Sequence, residues 1–219
     1  LLAACDGGGF RRFAADQWAQ LPAPATSRVL SLAGFGADTW AAGDDGIFRF
    51  DGTVWTTVST TPATVLAAGG GVLYVGGSFS MIGGIAARNI AVWDGRGFAP
   101  IADGLPQPVA HIAANGARLF ATQTNFAHPG ESLWRFDAGA WSRIGLTESG
   151  TGNFHAIALR RGRLYAVGDF RSIDDRPFPS AASWTAGSGW APMGEGPSPF
   201  PRAECLDVGA DDLIIGGVF

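Results

Sequence analysis

The chain has 219 residues, of which 47% are hydrophobic and 16% are charged, and its formal net charge is -4 at pH 7. This composition excludes a disordered or fibrous chain, because it supplies enough apolar surface to build a core. The acidic balance argues against a nucleic-acid partner, since a protein that binds the phosphate backbone needs a basic stripe. All 15 basic residues are Arg, which together with the abundant Ala and Gly indicates a GC-rich genome.

The N-terminal segment Leu2-Ala3-Ala4-Cys5 is followed by the flexible spacer Asp6-Gly7-Gly8-Gly9. It resembles the lipobox of bacterial lipoproteins, in which cleavage leaves a lipidated Cys as the first residue of the mature protein. The resemblance implies that residues 1–9 are the end of a signal peptide plus a spacer, and that a lipid on Cys5 holds the protein at a membrane. It implies a location at the cell envelope, on the outer membrane, in the periplasm or at the cell surface, with secretion as the alternative. We expect Cys205 to be a small buried strand residue, with a Cys5–Cys205 disulfide as the other option.

A repeat of about 43 to 49 residues follows, and each unit begins with a pair of short apolar segments. The second segment of each pair starts with Leu and an aromatic or aliphatic residue, at Leu73, Leu119, Leu164 and Leu213, with Thr39-Trp40 as a weaker fifth case. An apolar residue precedes each start by the same spacing, namely Leu32, Leu66, Ile112, Ile157 and Leu206. Each pair predicts two strands joined by a tight turn.

A second hairpin is predicted downstream of each pair, around an Asp-Gly or similar step that suits a turn with positive φ. Aromatic residues flank this step from facing strands. The segments are 47–55, 90–98, 133–141 and 182–190. Residues 10–18 match such a second hairpin, whereas residues 203–219 match only a first hairpin.

Four strands per unit without helical periodicity predict an all-β chain, a β-propeller of four-stranded blades that covers residues 10–219. Two interpretations of the number of blades stay open. Residues 10–18 and 203–219 can form one split closing blade of a five-bladed propeller. We favour a fragment of a larger propeller, because the chain opens without Met and stops where the best repeat continues.

The best repeat reads Leu-Tyr-Val-Gly-Gly-Ser-Phe at 73–79 and Ile-Ala-Val-Trp-Asp-Gly at 90–95. These motifs resemble the kelch-like repeats of bacterial cell-surface propellers, which carry Gly-Gly-x-Phe and Ile-Ala-x-Trp-Asp-Gly. Only residues 64–105 match fully, since Gly-Asp-Phe replaces the first motif at 168–170 and the third unit lacks the Gly doublet. The resemblance implies a propeller at the cell surface.

Binding residues are expected in the long loops that join second to third strands, which lie on the same face as the links between units. The candidates on this face are Asn89, Phe126, His128, Asp174, Asp175, Arg176 and Phe178. Phe79 and Phe170 follow the glycine position of their repeats, and we expect them to be structural.

We therefore expect a non-catalytic binding module of the bacterial envelope, with a glycan or a protein as its partner. The alternatives are a propeller glycoside hydrolase or lyase acting on envelope polysaccharide, and a structural surface repeat protein. Carboxylates directed inward from three blades would favour the enzyme. His111, His128 and His155 lack metal-ligand spacing, so we expect no metal and no cofactor, and buried structural roles for His111 and His155.

Overall fold

The computed structural model describes residues 2–5, 9–14, 16–116, 118–124, 130–148, 152–178, 180–193, 202–209 and 212–218. Every regular element in these ranges is a β-strand, as predicted. The chain divides into two compact units, Leu1–Pro106 and Gln107–Phe219. A single propeller domain over residues 10–219 stays a prediction.

The first unit contains a three-stranded sheet and two complete four-stranded antiparallel sheets. The three-stranded sheet is formed by β1 (Leu2–Cys5), β2 (Gly9–Ala14) and β3 (Gln17–Leu21). The first complete sheet is formed in chain order by β4 (Val29–Phe35), β5 (Asp38–Gly43), β6 (Gly46–Phe50) and β7 (Trp55–Ser59). The strands that follow are β8 (Val65–Gly69), β9 (Val72–Gly76), β10 (Met81–Ile82), β11 (Ile85–Ala86), β12 (Ile90–Trp93) and β13 (Phe98–Pro100). The second complete sheet has the order β8-β9-β12-β13, and β10 and β11 form a small hairpin within its long loop.

The second unit contains two further complete sheets and a two-stranded sheet. One complete sheet is formed by β14 (Val109–Ala114), β15 (Leu119–Thr124), β16 (Glu131–Asp137) and β17 (Ala140–Leu146). The next strands are β18 (Phe154–Arg160), β19 (Arg163–Gly168), β20 (Ser172–Ile173), β21 (Arg176–Pro177), β22 (Ala181–Thr185) and β23 (Gly189–Pro192). The other complete sheet has the order β18-β19-β22-β23, and β20 and β21 form a hairpin in its long loop. The two-stranded sheet is formed by β24 (Arg202–Val208) and β25 (Leu213–Val218).

The strand register confirms the repeat that the sequence predicts. Leu66 lies opposite Val75, and the corresponding apolar residues of the other first strands take the same place. The facing aromatic residues of the second hairpins are in contact, with ring centroids 5.1 Å apart for Phe50 and Trp55 and 4.9 Å apart for Trp93 and Phe98. Each aromatic pair joins the third and fourth strands of its sheet.

The Asp-Gly turns of these hairpins are fixed by the Asp side chain. Asp51 Oδ1 accepts hydrogen bonds from Thr53 Oγ1 and from the backbone N–H groups of Thr53 and Val54. These bonds, with that from the Thr53 hydroxyl the largest contributor, lower the pKa of Asp51 to about 2. Gly52 supplies the positive φ of 101°. The predicted turn chemistry is therefore correct.

Each unit has its own apolar core between its sheets. In the first unit Trp40, Leu73 and Val75 are almost completely buried. In the second unit Phe120, Leu133 and Phe170 are among the buried residues of the core. Phe79 and Phe170 are both buried in these cores, so they take the structural place expected for them.

The glycine at the end of β5 and of β19 is required by a backbone contact. A Cβ atom would lie 2.1 Å from Arg28 O if built on Gly43, and 1.9 Å from Asn153 O if built on Gly168. Both distances are far below a van der Waals contact, so no larger residue fits while this backbone keeps its path. The next N–H group then bonds the same carbonyl, as Asp169 N does to Asn153 O at 3.2 Å.

The sheet formed by β14, β15, β16 and β17 has no glycine at this position. Gln123 stands at the glycine position, is buried, and donates a hydrogen bond from Nε2 to Gln107 O. Thr124 N still bonds the Pro108 carbonyl at 3.2 Å. The hydrogen bond between the end of the second strand and the link before the first strand is therefore kept in this sheet, although Gln123 replaces the glycine.

We predict that Gly168→Ala lowers the free energy of unfolding by about 1–3 kcal/mol, because the Asn153 carbonyl must move to admit the methyl group. Gly187→Ala is the matched control, since no atom lies within 4 Å of a Cβ at that position. Urea titrations followed by Trp fluorescence measure both variants. Equal midpoints for the two variants would contradict the proposed contact.

Candidate functional site

The long loops of the second unit emerge at one end of its sheets, where the chain also enters each first strand. We call this end the long-loop face. Four ionisable side chains lie close together there, and we call them the acidic rim: Glu131, His155, Asp169 and Glu204. They come from β16, from β18, from the residue after β19, and from β24.

Two members of the acidic rim sit at equivalent β-bulges. The register of β18 shifts between Phe154 and Ala156, and that of β24 shifts between Ala203 and Cys205. A bulge redirects the side chain of the extra residue, which here is His155 or Glu204. The two side chains meet, with 3.2 Å between His155 Nδ1 and Glu204 Oε2.

His155 lies between oxygen atoms on both sides of its ring. Its Nδ1 is 2.9 Å from Ala203 O, and its Nε2 is 3.7 Å from Asp169 Oδ2. The ring therefore lies between two carboxylates, those of Asp169 and Glu204. Asp169 is itself fixed, because its Oδ1 accepts a 2.7 Å hydrogen bond from Asn153 N.

Glu131 is the buried member of the acidic rim. Its Oε2 accepts a 2.8 Å hydrogen bond from Phe154 N, which ties β16 to the start of β18. Burial raises the pKa of Glu131 to about 7, and the charge of Asp169 acts in the same direction. Burial also lowers the pKa of the neighbouring His111, and the charge of His155 adds to this effect. His111 and His155 were expected to be buried, and both are partly buried. The contacts of His155 with Asp169 and Glu204 were not predicted.

The accessible charge of the acidic rim belongs to Glu204 and Asp169, whose side chains are 43% and 26% exposed. Arg202 Nε lies 2.6 Å from Glu204 Oε1 and offsets part of this charge. The opposite end of the same sheets carries charges of both signs, with exposed Arg118 and Arg161 and the exposed carboxylates of Asp137 and Asp212 around the tight turns.

Asn89 and Phe178 lie in the long loops as expected, but both side chains serve the fold. The Asn89 side chain accepts from Phe79 N at 3.1 Å and donates to Leu105 O at 2.8 Å, and the residue is buried. Phe178 is 2% exposed and packs in the core of the second unit. Neither side chain presents a free surface to a ligand.

Asp174, Asp175 and Arg176 lie at the tip of the β20–β21 hairpin and are exposed. Asp174 and Asp175 have positive φ angles of 48° and 61°, as Gly83 and Gly84 do at the tip of the β10–β11 hairpin. Asp174 Oδ1 accepts a 3.1 Å hydrogen bond from Leu146 N of the preceding sheet. Asp174 and Asp175 therefore form a structured turn. Of the two carboxylates, that of Asp175 is the one available to a ligand.

The remaining expectations concern cysteines and two loop residues. The backbone of Cys5 lies in β1, and Phe126 and His128 lie outside the described residues. Cys205 is free and exposed on β24, so the expectation that it is buried is wrong. β24 lies in a two-stranded sheet, and its side chains are more exposed than those of β18, which has the same bulge in a complete sheet.

Within the described part of the chain, no three His, Cys, Asp or Glu side chains are placed to hold a metal ion. The same ranges include no helix of the length and apolarity needed to cross a membrane.

Comparisons with known proteins show the fold. No protein-family model matches the chain, and no curated protein matches it. The computationally designed Ika8 protein matches 99% of this chain at 12% identity with a TM-score of 0.64, and 64% of its own length is covered. The WD40 β-propeller domain of Doa1 matches 99% of this chain at 14% identity with a TM-score of 0.52, and 85% of its length is covered. The designed Ika4 protein matches 76% of this chain at 12% identity with a TM-score of 0.51, and 96% of its length is covered.

These similarities and the four-stranded sheets confirm the predicted all-β propeller fold. The chain spans 64% of the length of Ika8, and the choice between a split five-bladed propeller and a fragment stays a prediction.

We predict that Glu131→Gln raises the free energy of unfolding at pH 8 by about 1–3 kcal/mol and has little effect near pH 4. The folded pKa of Glu131 is raised to about 7 from 4.5, so ionisation costs stability as the pH rises through this interval. Gln keeps an acceptor for Phe154 N without the buried charge. Urea titrations across this pH range measure the difference between variant and wild type, and a variant less stable at pH 8 would contradict the prediction.

Proposed function

We propose that the chain is a non-catalytic binding module whose acidic rim engages a protein partner through Arg or Lys side chains. The observation that supports this proposal is the cluster of Asp169 and Glu204 around His155 on the long-loop face. Loops on a rigid β-scaffold are common places for binding. The ligand class is inferred from charge.

The rim suits a cationic side chain because its carboxylates are held in place before a partner arrives. The hydrogen bond from Asn153 N fixes Asp169, and His155 packs against Glu204. Fixed acceptors reduce the ordering cost of binding. Opposite charge at the rim also accelerates encounter, and this effect weakens as the salt concentration rises.

A protein partner is favoured over a glycan by the burial of the loop aromatics. Stacking on a sugar ring needs an exposed aromatic face. Phe79, Phe170 and Phe178 are 9%, 0% and 2% exposed, so these residues offer no such face.

An envelope-polysaccharide hydrolase or lyase is the second candidate, favoured by one observation. Glu131, with a pKa of about 7, lies near the carboxylate of Asp169, and unequal carboxylates are typical of acid–base catalysis. However, Glu131 is buried and its Oε2 bonds Phe154 N, so the carboxyl group lacks access to a substrate. Release of reducing ends from envelope polysaccharide, lost in Glu131→Gln, would favour the enzyme.

We predict that Asp169→Asn and Glu204→Gln each weaken binding about two- to fivefold, as expected for exposed charge pairs worth up to about 1 kcal/mol. The probes are arrayed peptides that differ in Arg and Lys content, tested at low and high salt beside a glycan array. Asp137→Asn is the matched control, because it removes one exposed carboxylate from a tight turn at the other end. Glycan binding that both rim variants retain would contradict the proposal.

The location of the module is proposed from the N-terminal segment. We infer that a lipid on Cys5 anchors the protein at the envelope of a bacterium, on the basis of Leu2-Ala3-Ala4-Cys5. Cleavage before Cys5 would remove three of the four residues of β1.

We expect the full-length protein to incorporate a clickable palmitate analogue in a bacterial host, and Cys5→Ala to abolish the label. Cys205→Ala is the control and keeps the label, since Cys205 is part of β24. Labelling of the Cys5→Ala variant would contradict the anchor.

A further inference from the structure

A groove of about 360 Å³ lies in the first unit, between the last strand of one complete sheet and the long loop of the next. One wall is formed by residues 57–61 at the end of β7, and the other by Gly83-Gly84 at the tip of the β10–β11 hairpin. We call it the Thr60 groove. Of the seven described residues that line it, four carry a hydroxyl group and none is charged.

The corresponding junction of the second unit is filled by the chain itself. The backbone N–H of Asp174, at the tip of the β20–β21 hairpin, donates to Leu146 O at 2.8 Å, and Asp174 Oδ1 accepts from Leu146 N at 3.1 Å. Trp190 Nε1 donates to Ile144 O at 2.6 Å. The end of β17 is therefore bound by one carboxylate and two N–H donors of the next repeat.

The strand register identifies the equivalent groups of the first unit. β7 and β17 each contain a bulge, whose extra residue is Val58 in β7 and Ile144 in β17. Val58 is therefore the equivalent of Ile144. Two residues further along the chain, Thr60 is the equivalent of Leu146. The carbonyl of Val58 and the backbone N–H and C=O of Thr60 thus correspond to the three groups that are bound in the second unit.

The side chains that bind these groups in the second unit are changed in the first. Gly83 stands at the place of Asp174 and has no carboxylate. Phe98 stands at the place of Trp190 and has no N–H donor. Among the described residues, none from the next repeat bonds the backbone of Thr60 or the carbonyl of Val58.

A third difference explains why a groove opens here. A Cβ built on Gly145 of β17 would lie 3.0 Å from Trp190 Nε1, so this glycine makes room for the indole ring. Its equivalent in β7 is Ser59, which carries a side chain. Phe98 lies instead toward the hairpin tip, where its Cδ2 is 2.5 Å from a Cβ built on Gly83. The space that the second unit fills with its own side chains is therefore left free beside Thr60.

We propose that the Thr60 groove binds an acidic peptide segment of a partner protein, through an Asp residue placed as Asp174 is in the second unit. The backbone N–H of this Asp donates to Thr60 O, and its carboxylate accepts from Thr60 N. A further N–H group of the segment donates to Val58 O. A volume of about 360 Å³ lies in the range of small binding sites.

A peptide fits this groove better than a free carboxylate ion. No charged residue lines the groove to hold an anion by charge alone. The second unit instead uses a carboxylate together with the N–H group of the same residue, which is a combination that a peptide supplies. The groove is therefore separate from the acidic rim, which lies in the other unit and suits cationic side chains.

The test is a titration of the intact chain with the acetylated and amidated peptide of residues 172–175, followed by proton–nitrogen correlation NMR. This peptide, Ser-Ile-Asp-Asp, leaves out Arg176, so it has no cation for the acidic rim. We expect saturable shifts of the Thr60, Thr61 and Gly84 amide signals. Asp174→Ala in the peptide removes the bonding carboxylate and should weaken binding at least about fivefold.

Asp175→Ala in the peptide is the matched control, because it removes the same charge whereas Asp174 is the residue that bonds Leu146. It should change binding less than about twofold. In the protein, Gly83→Asp places a carboxylate beside Thr60 N and should weaken peptide binding at least about fivefold. Gly187→Asp adds the same charge where no atom lies within 4 Å of a Cβ, and should leave peptide binding unchanged.

Three results would overturn the proposal. The first is the absence of saturable shifts at Thr60 and Gly84. The second is equal weakening by the two Ala peptides, which would show that only charge is read. The third is an equal response to acetate alone, which would show that the peptide N–H groups play no part. The peptide comparison uses the unchanged chain, so it decides the question even where Gly83→Asp fails to fold.

Discussion

The close approach of a backbone carbonyl to the end of the neighbouring strand governs the junctions at β4, β18 and β24. Asn153 O lies where a Cβ of Gly168 would be, and Arg28 O stands in the same relation to Gly43. In these two sheets the contact fixes how the link enters the first strand, and a bulge follows at the start of that strand. A wider spacing would move the bulge and, with it, the side chain that the bulge redirects.

The acidic rim is a product of this geometry. His155 and Glu204 occupy equivalent bulges on β18 and β24, so their side chains meet although they are far apart in sequence. The buried Glu131 joins β16 to the same place by accepting from Phe154 N. A carboxyl group in this position destabilises the folded chain when it ionises, and such costs are typical where a structure keeps polar groups for a purpose other than stability.

Much of the fold was predictable from local sequence patterns. The spacing of Leu66 and Leu73 and the aromatics around each Asp-Gly turn identify the strands and their register, because both depend on short-range geometry. The division into Leu1–Pro106 and Gln107–Phe219 had no such signature. The candidate site was predicted only in part. His155 was recognised as a first-strand residue, but its meeting with Asp169 and Glu204 depends on bulges, which leave no clear mark in one sequence.

Loop position alone was a poor guide to exposure. Asn89 and Phe178 lie in loops and are buried, since the long loops of this repeat fold into hairpins that need their own core and hydrogen bonds. Cys205 lies on a strand and is exposed, because β24 belongs to a two-stranded sheet whose side chains are less covered than those of β18.

The two loop hairpins have consequences for how such a surface could diversify. Gly83-Gly84 and Asp174-Asp175 trace the same left-handed backbone path with entirely different side chains. The first position of each tip is tied to the sheets, since a Cβ at Gly83 would lie 2.5 Å from the Phe98 ring and Asp174 accepts from Leu146 N. The second position is open, because no atom lies within 4 Å of a Cβ at Gly84. A protein engineer could therefore graft a recognition residue that tolerates positive φ, such as Asn, at the second position of a tip without redesigning the sheets below.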